Sequence, residues 1–145
     1  MPELKEMALE QTFAIIKPDA VASGHTGDIL RRIEQEGFRL RGLKLLHLSR
    51  QQAEGFYEVH REKPFFGGLV TFMSEGPVVV MVLQRENAIQ HWRNTMGATN
   101  PEKAAEGTLR KHYAKNIERN AVHGSDAPET AATEIAYFFS TAELL

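Results

Sequence analysis

Two hydrophobic periods alternate along this chain. Thr12-Phe13-Ala14-Ile15-Ile16 is short, apolar and partly β-branched, and Pro18 stops it, which predicts a strand. Thr26 to Gln35 carries Ile29, Leu30 and Ile33 at helical spacing, with Gly37 as a stop. Phe38 to Leu48 interleaves Arg39, Arg41 and Lys44 with Leu40, Leu43 and Leu45. The alternation slips around Gly42, as in a strand with a bend or bulge. Ser49-Arg50-Gln51-Gln52 has the form of a capping box, so a helix is predicted to about Val59. A short helix follows over Phe65–Met73. Val78-Val79-Val80-Met81-Val82-Leu83, inside Pro77–Leu83, reads as a buried central strand. Asn87–Met96 reads as a helix ended by Gly97, and Ala98–Gly107 as a loop with Asn100-Pro101 as its turn signal. Asp126 is placed as the N-cap of a last helix, with Pro128 in its first turn and Phe139 near its end.

Strands separated by helices in this order make an α+β pattern, with helices packed on one face of a sheet. The length of 145 residues suits one domain over 1–145, and no repeat or linker interrupts it. Cysteine is absent, which excludes a disulfide framework and a catalytic thiol. A net charge of −2 gives no basic stripe for a polyanion, so no dedicated nucleic-acid binding is expected. No apolar run approaches the ~20 residues of a membrane span. Met1–Glu10 lacks the pattern of a signal peptide, so a cytoplasmic location and no membrane partner are expected.

Candidate chemistry concentrates at Asn120-Ala121-Val122-His123-Gly124-Ser125-Asp126. Imidazole is a competent nucleophile when its ring is held and its lone pair is aimed. Gly124 removes bulk that would block an approaching group. Asn120, Ser125 and Asp126 can fix a ring or a phosphate. The alternative is a histidine in an ordinary turn. Lys17, at the end of the first strand, is a point charge for a phosphate or a cap on the sheet edge, and position alone favours the cap. Glu134 and Arg93 flank apolar helical stripes, where charges usually snorkel to water. Phe65 and Phe66 cannot both face one core, so one exposed ring is expected, for stacking or for a subunit contact. Arg110 and Tyr57 are ordinary in isolation: a solvated arginine, and a tyrosine packing its ring and bonding its tip. The six histidines show no zinc spacing. Neither a Gly-x-x-x-x-Gly-Lys-Ser/Thr loop nor a Gly-x-Gly-x-x-Gly fingerprint is present.

Asn120 to Asp126, continued by Ala127-Pro128-Glu129-Thr130-Ala131, resembles the active-site signature of nucleoside diphosphate kinases of bacterial type. The resemblance extends to Ile16-Lys17-Pro18-Asp19-Ala20, Lys63-Pro64-Phe65-Phe66-Gly67-Gly68-Leu69 and Ser74-Glu75-Gly76-Pro77-Val78-Val79. Met96-Gly97-Ala98-Thr99-Asn100-Pro101 and Gly107-Thr108-Leu109-Arg110 follow in the family's order, so it covers nearly all of Gln11–Phe139.

The resemblance implies that His123 takes the γ-phosphoryl group of a nucleoside triphosphate, mainly ATP, on Nδ1. A nucleoside diphosphate then collects it, in a ping-pong exchange with broad base and sugar tolerance. Lys17, Arg93 and Arg110 match phosphate-facing cations, and Thr99 adds a hydroxyl. Tyr57 matches the tyrosine beside the histidine, and Asn120, with Lys17, a ligand of the sugar hydroxyls. Ser125 and Glu134 match the pair that supports the imidazole. Phe65 matches the stacking ring, and Leu69 and Ile117 the apolar base contacts. Mg²⁺ is implied as cofactor, bound mainly through the nucleotide phosphates, with Asp126 as a candidate contact through water. The implied fold is ferredoxin-like, a four-stranded antiparallel sheet with helices on one face plus additional helices, its fourth strand near Asn116–Val122. A homo-oligomer, tetramer or hexamer, is implied as well. Glu118 stands where many members have glycine near the base pocket. The rivals to this reading are a nucleic-acid-binding module and a non-catalytic oligomeric scaffold on the same fold.

Overall fold

In the computed structural model, which describes residues 9–145, the chain runs β1 (Leu9–Ile16), α1 (Pro18–Ala22), α2 (Thr26–Gln35), β2 (Arg39–His47), α3 (Arg50–Phe56) and a 3₁₀ turn (Glu58–His60). It continues through α4 (Phe66–Met73), β3 (Pro77–Glu86), α5 (Ala88–Met96), α6 (Leu109–Tyr113), β4 (Val122–Gly124), α7 (Pro128–Phe138) and a 3₁₀ turn at Thr141–Glu143. The sheet order is β2-β3-β1-β4, and every neighbouring pair is antiparallel. Among the described residues no helix is long and apolar enough to cross a membrane.

Successive strand side chains point to opposite faces, and here both faces are buried. Ala14 and Ile16 of β1 pack with Ile29 and Ile33 of α2 and with Trp92 and Met96 of α5. Phe13 and Ile15 pack on the other side with Ala53 of α3, Val70 and Met73 of α4 and Ile135 of α7. This is why Val78–Leu83 is apolar without alternation: a central strand covered on both sides has no polar face to show. α2 and α5 cover one face, and the additional helices α3, α4 and α7 close the second.

Local signals set most boundaries. Ser49 and Gln52 form the predicted capping box, with Gln52 N–H donating to Ser49 Oγ at 3.0 Å and Ser49 N–H to Gln52 Oε1 at 2.8 Å. That helix ends at Phe56, short of Val59, because Tyr57 leaves helical geometry (φ −98°, ψ 22°) and buries its ring. The irregularity expected at Gly42 is a register shift between Leu40 and Gly42. Pro18 stops β1 and also opens α1, whose first position needs no N–H.

Two expectations fail at the C-terminal end. Asp126 is not the N-cap of α7; Ala127 is, and Thr130 Oγ1 accepts the Ala127 N–H at 3.0 Å. The fourth strand lies at Val122–Gly124 instead of Asn116–Val122. His123 therefore sits on a strand and not in a turn.

Candidate active site

β4 pairs with β1 in the register Ala14↔Gly124, Ile15↔His123 and Ile16↔Val122. His123 thereby shares the face of Ile15, and Gly124 the face of Ala14. On the first face the imidazole meets the edges of Phe13, Phe56 and Tyr57, with ring centroids at 6.2, 5.5 and 6.5 Å. On the second face, a Cβ on Gly124 would lie 2.4 Å from Trp92 Cδ1 and 2.7 Å from Met96 Cε. Gly124 is thus required by the packing of Trp92, and it also lines the cleft. Trp92 also donates from Nε1 to the His123 carbonyl at 3.1 Å.

A chain of hydrogen bonds fixes the ring. His123 Nε2 lies 3.1 Å from Glu134 Oε1, and Ser125 Oγ donates to the same oxygen at 2.7 Å. Ser125 in turn accepts the Phe13 N–H at 3.2 Å. A carboxylate accepting at Nε2 sets the tautomer with its lone pair on Nδ1, and Nδ1 has no partner among the described residues. Glu134 does not snorkel: its side chain is 20% exposed. It stands behind the imidazole together with buried Ser125, and neither lines the cleft.

The backbone before His123 is a γ-turn, with Val122 N–H bonded to Asn120 C=O at 2.9 Å and Ala121 at φ 74°. Two buried cations brace it. Lys17 Nζ donates to Asn120 Oδ1 at 2.8 Å. Arg110 donates to the carbonyls of Asn120 (3.3 Å), Gly97 (3.0 Å) and Val122 (2.8 Å). Lys17 is thus no sheet-edge cap, and Arg110 is no solvated surface arginine. Burial pushes the Lys17 ammonium down to about 8, and Arg110 adds to this while Asp19 opposes it. Arg110 is lowered to about 10 by burial and then by Arg93. Arg93 is more exposed and pairs with Asp126 at 2.5 Å.

These groups meet at a cleft of about 810 Å³. Lys17, Tyr57, Phe65, Leu69, Arg93, Thr99, Arg110, Asn120, His123 and Asp126 all line it. Phe65 is the exposed ring of its pair, at 53%, while Phe66 is partly buried. The Tyr57 hydroxyl is buried without a partner among the described residues, contrary to the expected bonded tip. Burial and the Glu134 carboxylate push it up, so it stays an O–H donor. Ile117 is exposed on the loop before β4 and does not line the cleft; its carbonyl accepts from Asn120 Nδ2 at 3.1 Å. His60, Gln90, Asn94, Lys103 and Thr108 also line the cleft. Nothing in the hydrophobic pattern marks them, since they are polar residues on turns and exposed helix faces. Asp126 is the one carboxylate in the lining, and no group of three His, Asp or Glu able to hold a metal occurs among the described residues.

The family profile described as nucleoside diphosphate kinase matches residues 10–144. The chain is 63% identical to the nucleoside diphosphate kinase of Trichlorobacter lovleyi over 137 residues, 94% of this chain and 99% of that one. It is 61% identical to that of Geobacter sulfurreducens over 94% of this chain and all of the relative. Among solved structures it superposes on the Aquifex aeolicus nucleoside diphosphate kinase with a TM-score of 0.93 at 45% identity, covering 95% of this chain and 100% of that one. The Halobacterium salinarum nucleoside diphosphate kinase in complex with CDP gives 0.90 at 40% identity, over 94% and 91%. These likenesses favour the catalytic reading over a binding module or a scaffold. With the matched profile spanning nearly the whole chain, this protein belongs to the nucleoside diphosphate kinase family.

Proposed function

We propose that His123 is the phosphoryl carrier of this enzyme. The observation that carries the reading is the commitment of Nε2 to Glu134, which leaves the Nδ1 lone pair free in a cleft lined with cations. Nδ1 attacks the γ-phosphorus of a nucleoside triphosphate, and the bond to the β,γ-bridging oxygen breaks with its electrons going to the departing diphosphate. The Nε2 proton stays on the ring, held by Glu134. A second nucleoside diphosphate then reverses the step through a terminal phosphate oxygen. The transition state is loose, so positioning and charge stabilisation supply most of the catalysis. Lys17, Arg110, Arg93 and Thr99 hold the phosphates, and Tyr57 contributes its O–H. Asn120 and Lys17 take the sugar hydroxyls, while Phe65 and Leu69 hold the base; Ile117, outside the cleft lining, is given no part in it. Stacking and apolar contact do not read base edges, which accounts for broad base tolerance.

A lining with one carboxylate fits Mg²⁺ brought in mainly by the nucleotide phosphates, and Asp126, once released from Arg93, would hold it through water. When bound, the ion would neutralise phosphate charge. A homo-oligomer, tetramer or hexamer, is proposed too, because edge strand β2 exposes Leu43 and Leu45. A cytoplasmic location accompanies it, where nucleoside triphosphates are abundant.

Incubation with γ-labelled ATP and Mg²⁺, without an acceptor, tests the mechanism. The expected product is an acid-labile, base-stable label on His123, discharged by any nucleoside diphosphate. His123→Ala should lose label and transfer together at unchanged stability. A folded His123→Ala protein that still exchanges phosphate would reassign the nucleophile.

A further inference from the structure

We infer that Asp19 is a positioning residue: its carboxylate holds the γ-turn at Ala121 from which the His123 imidazole is aimed. The inference rests on His123 being the phosphoryl carrier.

Asp19 lies in the first turn of α1 and is 4% exposed. A carboxylate there could serve its own helix, but the hydrogen bond runs elsewhere. Oδ2 accepts the N–H of Ala121, 102 residues away, at 3.1 Å. The Ala121 carbonyl is taken by the Lys17 N–H at 2.9 Å. Both backbone polar groups of Ala121 are therefore gripped by the Lys17–Asp19 segment. This grip is needed because Ala121 is not glycine and yet sits at φ 74°, a conformation that persists only where the surroundings over-determine it. If Ala121 relaxed to negative φ, Val122 and His123 would leave their register with Ile16 and Ile15. The Nδ1 lone pair would turn with them.

The second oxygen strengthens the argument. Oδ1 is buried and has no hydrogen-bond partner among the described residues. A buried, half-satisfied carboxylate is costly. Its retention fits a demand at the site better than a contribution to the core. Its negative charge also acts on Lys17, whose ammonium holds Asn120 at the other end of the same turn.

The test is rapid-quench phosphorylation of His123 by γ-labelled ATP and Mg²⁺, with nucleotide affinity and thermal stability measured on the same proteins. Asp19→Leu keeps the shape of the side chain and removes the acceptor; Asp19→Asn keeps an acceptor oxygen and removes the charge. A displacement of about 1 Å at a reacting group costs on the order of 100-fold in rate. Asp19→Leu is therefore expected to phosphorylate at least about tenfold more slowly, with nucleotide affinity changed less than the rate. Asp19→Asn should recover most of that loss. A folded Asp19→Leu protein labelled at the wild-type rate would overturn the inference, as would a loss confined to nucleotide affinity. If Asp19→Leu does not fold, Asp19→Asn decides alone: a folded protein slowed by less than about tenfold supports the clamp, and a larger loss overturns it. Wild-type protein that takes no label would instead sink the phosphohistidine reading, so the two failures are distinct.

Discussion

Gly124→Ala adds one methyl group, and the structure says where it goes. The new Cβ would lie 2.4 Å from Trp92 Cδ1, 2.7 Å from Met96 Cε and 2.8 Å from Trp92 Nε1. Carbon atoms pack best at roughly 3.5–4.0 Å, so the neighbours must open by about 1 Å. Met96 can swing its terminal methyl. Trp92 is fully buried and donates to the His123 carbonyl, so it cannot move without disturbing the carrier residue. Overpacking of this kind costs about 1–3 kcal/mol, which at roughly 2–4 °C per kcal/mol for a domain near this size lowers the melting temperature by about 2–12 °C. A shift of about 1 Å at β4 reaches His123 directly and costs on the order of 100-fold in phosphorylation rate. Thermal unfolding and rapid-quench labelling of one preparation measure both effects. A Gly124→Ala protein as stable as wild type and labelled within about threefold of it would refute the packing account. If stability held and the rate fell, Gly124 would be clearing the approach to the ring after all.

Other groups give separable outcomes. Glu134→Gln keeps the shape behind the ring but no longer offers a carboxylate to Nε2 and Ser125. The phosphorylation rate is expected to fall about 10–100-fold with nucleotide affinity little changed, read by single-turnover labelling. Phe65→Ala removes an exposed ring; it should weaken nucleotide binding by about 1–3 kcal/mol in equilibrium titrations and leave the melting temperature nearly unchanged. Lys17 is lowered from 10.5 to about 8, so between those values the unfolded chain binds more protons than the folded one. Stability of the unliganded protein therefore rises with pH above about 8 through this group. Nucleotide affinity is expected to fall over the same range, because the ammonium proposed to meet the phosphates is lost. Thermal unfolding and nucleotide titration from pH 7 to about 9, below the range of Arg110, check the opposite signs, and Lys17→Met should flatten both.

The hydrophobic pattern reported what it physically encodes. Ile29 and Ile33 mark the buried stripe of α2, and Val78–Leu83 mark a strand with two dry faces. The slip at Gly42 marks a bulge. Short elements escaped it, because α1, α6 and β4 have five, five and three residues, less than two turns or two alternations. β4 is held by its register with β1 and by the grip of Lys17 and Asp19 on Ala121, both long-range effects invisible in a local window. The same limit applied to single charged residues. Lys17, Arg110 and Glu134 looked ordinary one at a time, and only the tertiary structure shows what each one touches. The family resemblance assigned their roles by register of motifs. It included Asp19 in a matched motif but gave it no role; its partner is an amide 102 residues away.

The balance of charge around His123 follows from how the cations are held. Arg93 is exposed and already has a carboxylate partner in Asp126. Lys17 and Arg110 are buried, and their hydrogen bonds go to amide and carbonyl oxygens. Dipoles fix an ammonium or a guanidinium in place without cancelling its charge. Burial lowers both groups, Arg110 lowers Lys17 further and Arg93 lowers Arg110, which is the signature of positive charge gathered before any anion arrives. Phosphate oxygens would then supply the missing negative charge with little rearrangement, since the donors are already oriented. A full ion pair with a protein carboxylate would have satisfied these cations and made them poor phosphate ligands. The carboxylates are instead placed where they act on backbone and ring: Asp19 on the Ala121 amide, Glu134 on His123 Nε2. With Asp126 the one carboxylate in the cleft lining and Asp19 and Glu134 behind it, the proposed holding of phosphate by Lys17 and Arg110 is separate from the aiming of the nucleophile, and that separation would let one imidazole face both a triphosphate donor and a diphosphate acceptor in the same geometry.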